Sequence, residues 1–219
     1  MRSRRSGTLV TVFVGVWLLA ACAGATPTEP AGSLTASGGL SDPAGPPVPR
    51  EIGPSESVAL AYDPADGSLL KADRDGLFRW RAESGWDNID IPQNTYGLSG
   101  VVINPDQPRT IYAGGPAIGV IRSDDSGQNW QSINTGLSGL DATALAMHSF
   151  RRATLYAWVR GDGIYRTEDG GATWQRMPDQ GPPDEEVRGL THSTLPGSMN
   201  TGWLYAATPT GAYLSMDCF

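Results

Sequence analysis

Three arginines, two histidines, a repeated aspartate and one early cysteine are the residues of this chain that could do chemistry. Arg79, Arg122 and Arg166 recur in one frame, Gly76-Leu77-Phe78-Arg79, Gly119-Val120-Ile121-Arg122 and Gly163-Ile164-Tyr165-Arg166, with Leu214 at the fourth such place. Gathered round one axis, three guanidinium groups would make an anion site. Left apart, each is a solvated or cross-blade ion-pair partner. Asp63, Asn104, His148 and His192 also fall at matching places, each ending a short apolar run. A polar side chain there caps the following turn. Two neighbouring imidazoles could also begin a metal site, but no thiolate or fixed acidic partner accompanies them. Ser149 and Ser193 follow the histidines, and adjacency in sequence sets no nucleophile–base geometry. Trp158 and Trp203 offer a face for a sugar or a peptide if exposed, and core packing if not. A carboxyl pair for glycoside hydrolysis cannot be chosen without distances. The sequence therefore designates no catalytic, cofactor-binding or metal residue.

The elements that must position these residues repeat. Ser123-Asp124-Asp125-Ser126-Gly127-Gln128-Asn129-Trp130 recurs 44 residues on as Thr167-Glu168-Asp169-Gly170-Gly171-Ala172-Thr173-Trp174, and Ser215-Met216-Asp217 begins it again. Around each copy lie short runs rich in Val, Ile, Leu, Tyr and Trp, such as Thr110-Ile111-Tyr112-Ala113, Thr154-Leu155-Tyr156-Ala157 and Trp203-Leu204-Tyr205-Ala206. Turn residues punctuate them, as in Asn104-Pro105 and Asp162-Gly163. A period of 40–50 residues with up to four strands per unit is that of a β-propeller blade. One such sheet cannot bury both its faces alone; stacked neighbours can. The expected fold is all-β, with four blades visible in 54–219, as units of about 54–97, 98–140, 141–184 and 185–219. The first unit is the most worn, keeping Trp86 but no aspartate at the motif spacing. The fourth lacks its final strand.

The motif Ser/Thr-x-Asp-x-Gly-x-Thr-Trp inside such a repeat resembles the Asp-box, or BNR, repeat of propellers in sialidases, some endoglucanases, sortilin-type receptors and photosystem assembly factors. The resemblance covers about 54–219. It implies that Ser123, Asp125, Gly127, Trp130, Thr167, Asp169, Gly171, Trp174, Ser215 and Asp217 are structural. The aspartates would accept hydrogen bonds within the turn, the glycines would supply an unusual backbone angle, and the tryptophans would pack between sheets, away from the central face. Asn129 stands where the motif has Thr. A sialidase-like activity would need an arginine triad, a Tyr–Glu pair and an acidic Asp, and the Arg-Ile-Pro segment usual in sialidases is absent.

The first fifty residues carry an address. Arg2, Arg4 and Arg5 precede the apolar run Leu9–Ala21, which is signal-peptide-like and short for a membrane span. The ending Leu19-Ala20-Ala21-Cys22 resembles a bacterial lipoprotein signal, implying a lipid on the Cys22 thiol and removal of 1–21. An ordinary secretory signal cut nearby is the alternative. Residues 22–53 are rich in Ala, Gly, Pro, Ser and Thr, too polar and small to repay the entropy of ordering, and read as a tether. Cys218 is left without an intramolecular partner.

The totals narrow the function. Of 219 residues 28 are Gly and 17 Pro, and the formal charge is −7. No basic patch suits nucleic acid. The expectation is a lipid-anchored binding or scaffolding module at the extracytoplasmic face of a bacterial membrane, with an unknown protein or glycan partner, no cofactor and a possible homo-oligomer. The alternatives are a carbohydrate-active hydrolase of glycosidase or sialidase type, or a truncated propeller without independent function.

Overall fold

The computed structural model describes residues 59–92, 97–178, 181–182, 186–193 and 202–215. The expectations for the signal peptide, Cys22, the tether, Asp217 and Cys218 lie outside these residues. Every described element is a strand.

The strands form four antiparallel sheets in chain order. Blade 1 is β1 (Ala59–Tyr62), β2 (Leu69–Asp73), β3 (Gly76–Arg81) and β4 (Gly85–Ile89). Blade 2 is β5 (Gly100–Ile103), β6 (Ile111–Gly115), β7 (Gly119–Ser123) and β8 (Gln131–Ser132). Blade 3 is β9 (Ala142–Met147), β10 (Leu155–Val159), β11 (Gly163–Thr167) and β12 (Gln175–Arg176). Blade 4 has three described strands, β13 (Gly189–Ser193), β14 (Trp203–Thr208) and β15 (Gly211–Ser215). The sheets stand radially as an open propeller arc, with the first strand of each blade innermost. The all-β, four-bladed reading holds, and among the described residues the last blade has three strands.

Strand pairing fixes which side chains share a face. In blade 2, Val101, Ile103, Ile111, Ala113 and Ile121 point back toward blade 1, where Leu70, Ala72 and Leu77 meet them. Val102, Tyr112 and Val120 point forward into a second cluster with Leu145, Leu155, Ala157 and Tyr165 of blade 3. Ala146, Tyr156, Trp158 and Ile164 point forward again, onto Leu204 and Ala206 of blade 4. Each core is therefore a junction between a forward face and the next rear face. This explains why β6 and β10 are buried at every residue instead of alternating. A strand packed on both faces has no solvent side to make polar.

Blade 1 differs in its last hairpin. Its β4 pairs with β3 over five positions, from Leu77–Ile89 to Arg81–Gly85. β8 and β12 pair over only two each. The eight residues of the motif occupy the chain that blade 1 spends on a full fourth strand.

Candidate functional site

The repeated motif carries the most conspicuous polar groups of the chain. Asp125 Oδ1 accepts from the Ser123 hydroxyl at 2.8 Å and the Asn129 amide at 2.8 Å, and Oδ2 accepts from Asn129 Nδ2 at 2.7 Å. Asp169 repeats this with Thr167 at 2.6 Å, and with the Thr173 amide and hydroxyl at 2.9 and 2.7 Å. Hydrogen bonds to the ionised form hold both carboxyls at about 2, led by Asn129 for Asp125 and by Thr167 for Asp169. All these partners lie in the same turn.

The rest of each motif reaches into the preceding blade. A Cβ on Gly127, whose φ is 93°, would lie 2.7 Å from Ile89 Cγ2, and one on Gly171 (φ 97°) would press on Ile133 Cδ1. Only glycine permits that approach with that backbone. The Trp130 indole N–H donates to the Asp90 carbonyl at 3.0 Å as well as to its own Gly127 carbonyl, and Trp174 donates to the Ile133 carbonyl at 2.7 Å. The motif thus closes its own hairpin and fastens it to the end of the blade before. Ser215 ends β15, and Asp217 is outside the described residues.

The three arginines do not converge. They sit on β3, β7 and β11, away from the innermost strands. Arg79 is buried and pairs with Asp63 at 3.4 Å, Arg122 pairs with Asp124 at 2.7 Å, and Arg166 pairs with Glu168 at 3.2 Å. Arg122 Nη1 also donates to the Gly170 carbonyl of blade 3 at 3.1 Å, alongside the Tyr112 hydroxyl at 3.3 Å. Each ion pair stays within its own blade, and only the Arg122 bond to Gly170 crosses to the next, so their geometry is not one of anion capture.

At the ends of the first strands the matching polar residues behave alike until the last. Asp63 Oδ1 accepts from the Ala65 amide at 3.0 Å, Asn104 Oδ1 from Asp106 at 3.0 Å, and His148 Nδ1 from Phe150 and Arg151, both at 3.1 Å. His192 instead turns to blade 3, where its Nδ1 accepts from the Ser149 amide at 3.1 Å. The two imidazoles stack 4.0 Å apart with Tyr156 beside them. Burial first, then His192 and the nearby Arg151 and Arg152, lowers His148 to about 4; burial lowers His192. Ser149 Oγ lies 3.0 Å from His192 Nδ1 but donates to the His192 carbonyl at 2.7 Å. Its proton therefore points away from the imidazole, which is not the arrangement of an activated nucleophile. Both Nδ1 atoms are engaged by amides, and among the described residues no group of three ligating side chains could hold a metal ion.

The concave site is elsewhere, along the axis of the arc. A cleft of about 470 Å³ is walled by the innermost strands of all four blades, β1, β5, β9 and β13. Its polar groups are Tyr62, Ser99, Ser149, Arg152, Arg188 and Thr191, and none of its described lining residues is Asp or Glu. Arg152 pairs with Asp106 at 3.2 Å and Arg188 with Glu186 at 3.0 Å. Sequence reading missed most of these residues. They belong to different blades, and only the ring geometry assembles them; their one shared signal is their place in or beside each unit's first strand. Of the two tryptophans considered for stacking, Trp158 is buried in the blade 3–4 junction, whereas Trp203 lies half-buried on the forward side of blade 4.

No protein-family model and no curated protein matches the sequence. Solved structures do. The GH74 xyloglucanase from Xanthomonas campestris superposes with a TM-score of 0.58 and 19% identity, over 73% of this chain and 29% of that one. A GH74 enzyme from Niastella koreensis gives 0.56 and 17%, over 73% and 28%. A chain of a nidogen/laminin complex gives 0.55 and 18%, over 72% and 59%. At these identities the likeness is one of fold. This chain spans under a third of the GH74 structures and about three-fifths of the nidogen/laminin chain.

Proposed function

We propose that this chain is a carbohydrate-active propeller module of the glycoside-hydrolase kind, with glycan held in the axial cleft. The observation that carries the reading is the cleft. Its volume is that of small-molecule sites. Its walls combine apolar strand surface, which suits the C–H faces of sugar rings, with hydroxyl and guanidinium groups, which suit their oxygens. Likeness to GH74 propellers supports the substrate class, and the name of the Xanthomonas campestris structure makes xyloglucan the first glycan to try. The lipoprotein-like ending at Cys22 supports display at the outer face of a bacterial membrane.

A second reading has its own observation. Glycoside hydrolysis in its commonest forms uses two carboxyl groups flanking the bond, and the described cleft lining offers none. This favours a module that binds or scaffolds without turnover. One experiment separates the readings. The purified protein is incubated with xyloglucan and related β-glucans while reducing ends are assayed and gel retardation is measured. Release of reducing ends supports the hydrolase. Retardation alone, weakened by Arg152→Ala or Arg188→Ala, supports the binding module. Neither effect with any glycan tested overturns the carbohydrate assignment. Separately, an alkyne-palmitate label retained by Cys22→Ser would overturn the lipid anchor.

A further inference from the structure

Three successive backbone amides of one turn, those of Ser149, Phe150 and Arg151, are held by two imidazoles. His148 Nδ1 accepts from Phe150 and Arg151, and His192 Nδ1, reaching over from β13, accepts from Ser149, all at 3.1 Å. The same turn brings Ser149 and Arg152 into the lining of the axial cleft. We propose that this histidine pair is a proton-operated switch in the cleft wall: uptake of a proton by either ring releases the turn and lowers the affinity of the cleft for glycan. As control of glycan binding the switch rests on the function proposed above; as a change in the turn it rests on geometry alone.

The bonds fix the protons. A backbone N–H only donates, so both Nδ1 atoms present lone pairs and both neutral rings carry their proton on Nε2. A second proton must go to Nδ1. It turns the acceptor into a donor, and N–H then faces N–H. At His148 one proton removes two bonds; at His192 it removes the bond that ties blade 4 to the turn. In blade 2 the matching turn is held by Asn104 Oδ1, which accepts from the Asp106 amide at 3.0 Å. A carboxamide takes up no proton in the range where imidazole does. Blade 2 thus has the turn without the switch.

The surroundings give an imidazolium nothing to pair with. The rings stack 4.0 Å apart, with Tyr156 of β10 beside both and the Phe150 ring edge-on to His148. His148 is buried, and the charges that act on it are those of His192, Arg151 and Arg152, none of them negative. Asp106 of blade 2 comes to the turn as the ion-pair partner of Arg152, at 3.2 Å. On the blade 4 side His192 lies against the Gly202 backbone, where a Cβ would be 2.5 Å from its Cε1. A charged ring gains hydration only if the turn opens. Arg152 Nη1 donates to the His148 carbonyl at 3.3 Å, and the Ser149 hydroxyl to the His192 carbonyl at 2.7 Å. Both cleft groups are therefore anchored on the two histidines. Burial is the first cause that lowers each ring below the usual 6.5, His148 to about 4. An opened turn restores the usual value, so opening gains as pH falls from 6.5 toward 4, by about tenfold at about pH 5.5.

The test is amide hydrogen exchange on the full purified chain without ligand, read as protection at about pH 7.5 and about pH 5.5. The amides of Ser149, Phe150 and Arg151 should lose about tenfold in protection, while that of Asp106 in blade 2 changes by less than about twofold. Equal protection of the turn at both values, or an equal loss at Asp106, would overturn the switch. His148→Asn should keep Phe150 and Arg151 protected at the lower pH; the unaltered chain decides the matter if that variant does not fold. Retention on immobilised xyloglucan at the same two values is the second arm. It should fall at the lower pH for the unaltered chain and hold for His148→Asn. Retention that stays constant while the turn opens overturns the proposal, because the cleft then ignores the turn. A chain that is retained at neither value but whose turn opens upholds the switch and counts against the glycan reading alone.

Discussion

Blades 2 and 3 bury nearly every residue of their first three strands, whereas blades 1 and 4, with similar apolar content, leave theirs half open. β9 and β10 contain one residue that is not buried, Met147; β13 contains none that is buried. Local sequence is not the cause, because Thr154-Leu155-Tyr156-Ala157 and Trp203-Leu204-Tyr205-Ala206 pattern alike. The difference is the number of neighbours. In a stacked-blade fold the hydrophobic core belongs to junctions, so a blade with one junction keeps half of its apolar surface in water.

That comparison can be broken or sharpened by paired substitutions. Leu155→Ala, in the centre of the blade 2–3 junction, should cost about 2–5 kcal/mol in a denaturant titration. Leu60→Ala, at the open face, should cost under about 0.5 kcal/mol. Equal losses would mean that blade 1 is covered in the isolated molecule. Gly171→Ala should cost roughly 2–3 kcal/mol, through positive φ and collision with Ile133. Gly189→Ala has nothing within 4 Å of its new Cβ and should be close to neutral in thermal melts.

Acid should weaken the blade 3–4 junction selectively. His148 and His192 both have folded-state values below the usual 6.5, His148 at about 4. The unfolded chain therefore takes up protons first. Their contribution is fully present above pH 6.5 and is lost as pH falls toward 4. The melting temperature should decline across that window, and His148→Asn should flatten the decline while keeping the turn acceptor, as Asn104 does in blade 2. Asp125 and Asp169, lowered to about 2, act in a separate window below pH 4. Trp174→Phe removes one indole–carbonyl bond and should cost about 1 kcal/mol in urea. An unchanged midpoint would mean that the bond to Ile133 adds nothing.

The fold was legible because its information is local and periodic. Short β-branched and aromatic runs, turn residues between them and a 44-residue recurrence leave few alternatives to stacked small sheets. The site was less so, for reasons of distance. Nothing near His192 in sequence announces that it accepts from the Ser149 amide of the preceding blade. Arg79 reads as a solvent-facing residue of β3 until Asp63, sixteen residues earlier, is found buried against it. The cleft lining shares no motif, because its residues need only be small or polar where four strands converge. The long β4 of blade 1 was hidden by the absence of the motif, which reads as wear but leaves room for three more paired positions.

The bond from each motif tryptophan to the blade before it has a direction. Trp130 needs the Asp90 carbonyl to be in place, and Trp174 needs that of Ile133. A chain emerging from the ribosome presents those carbonyls first, so every latch finds its catch already waiting. Synthesis and stacking then run the same way, each new blade locking its elder, and a stalled chain would end on a blade that nothing has yet fastened.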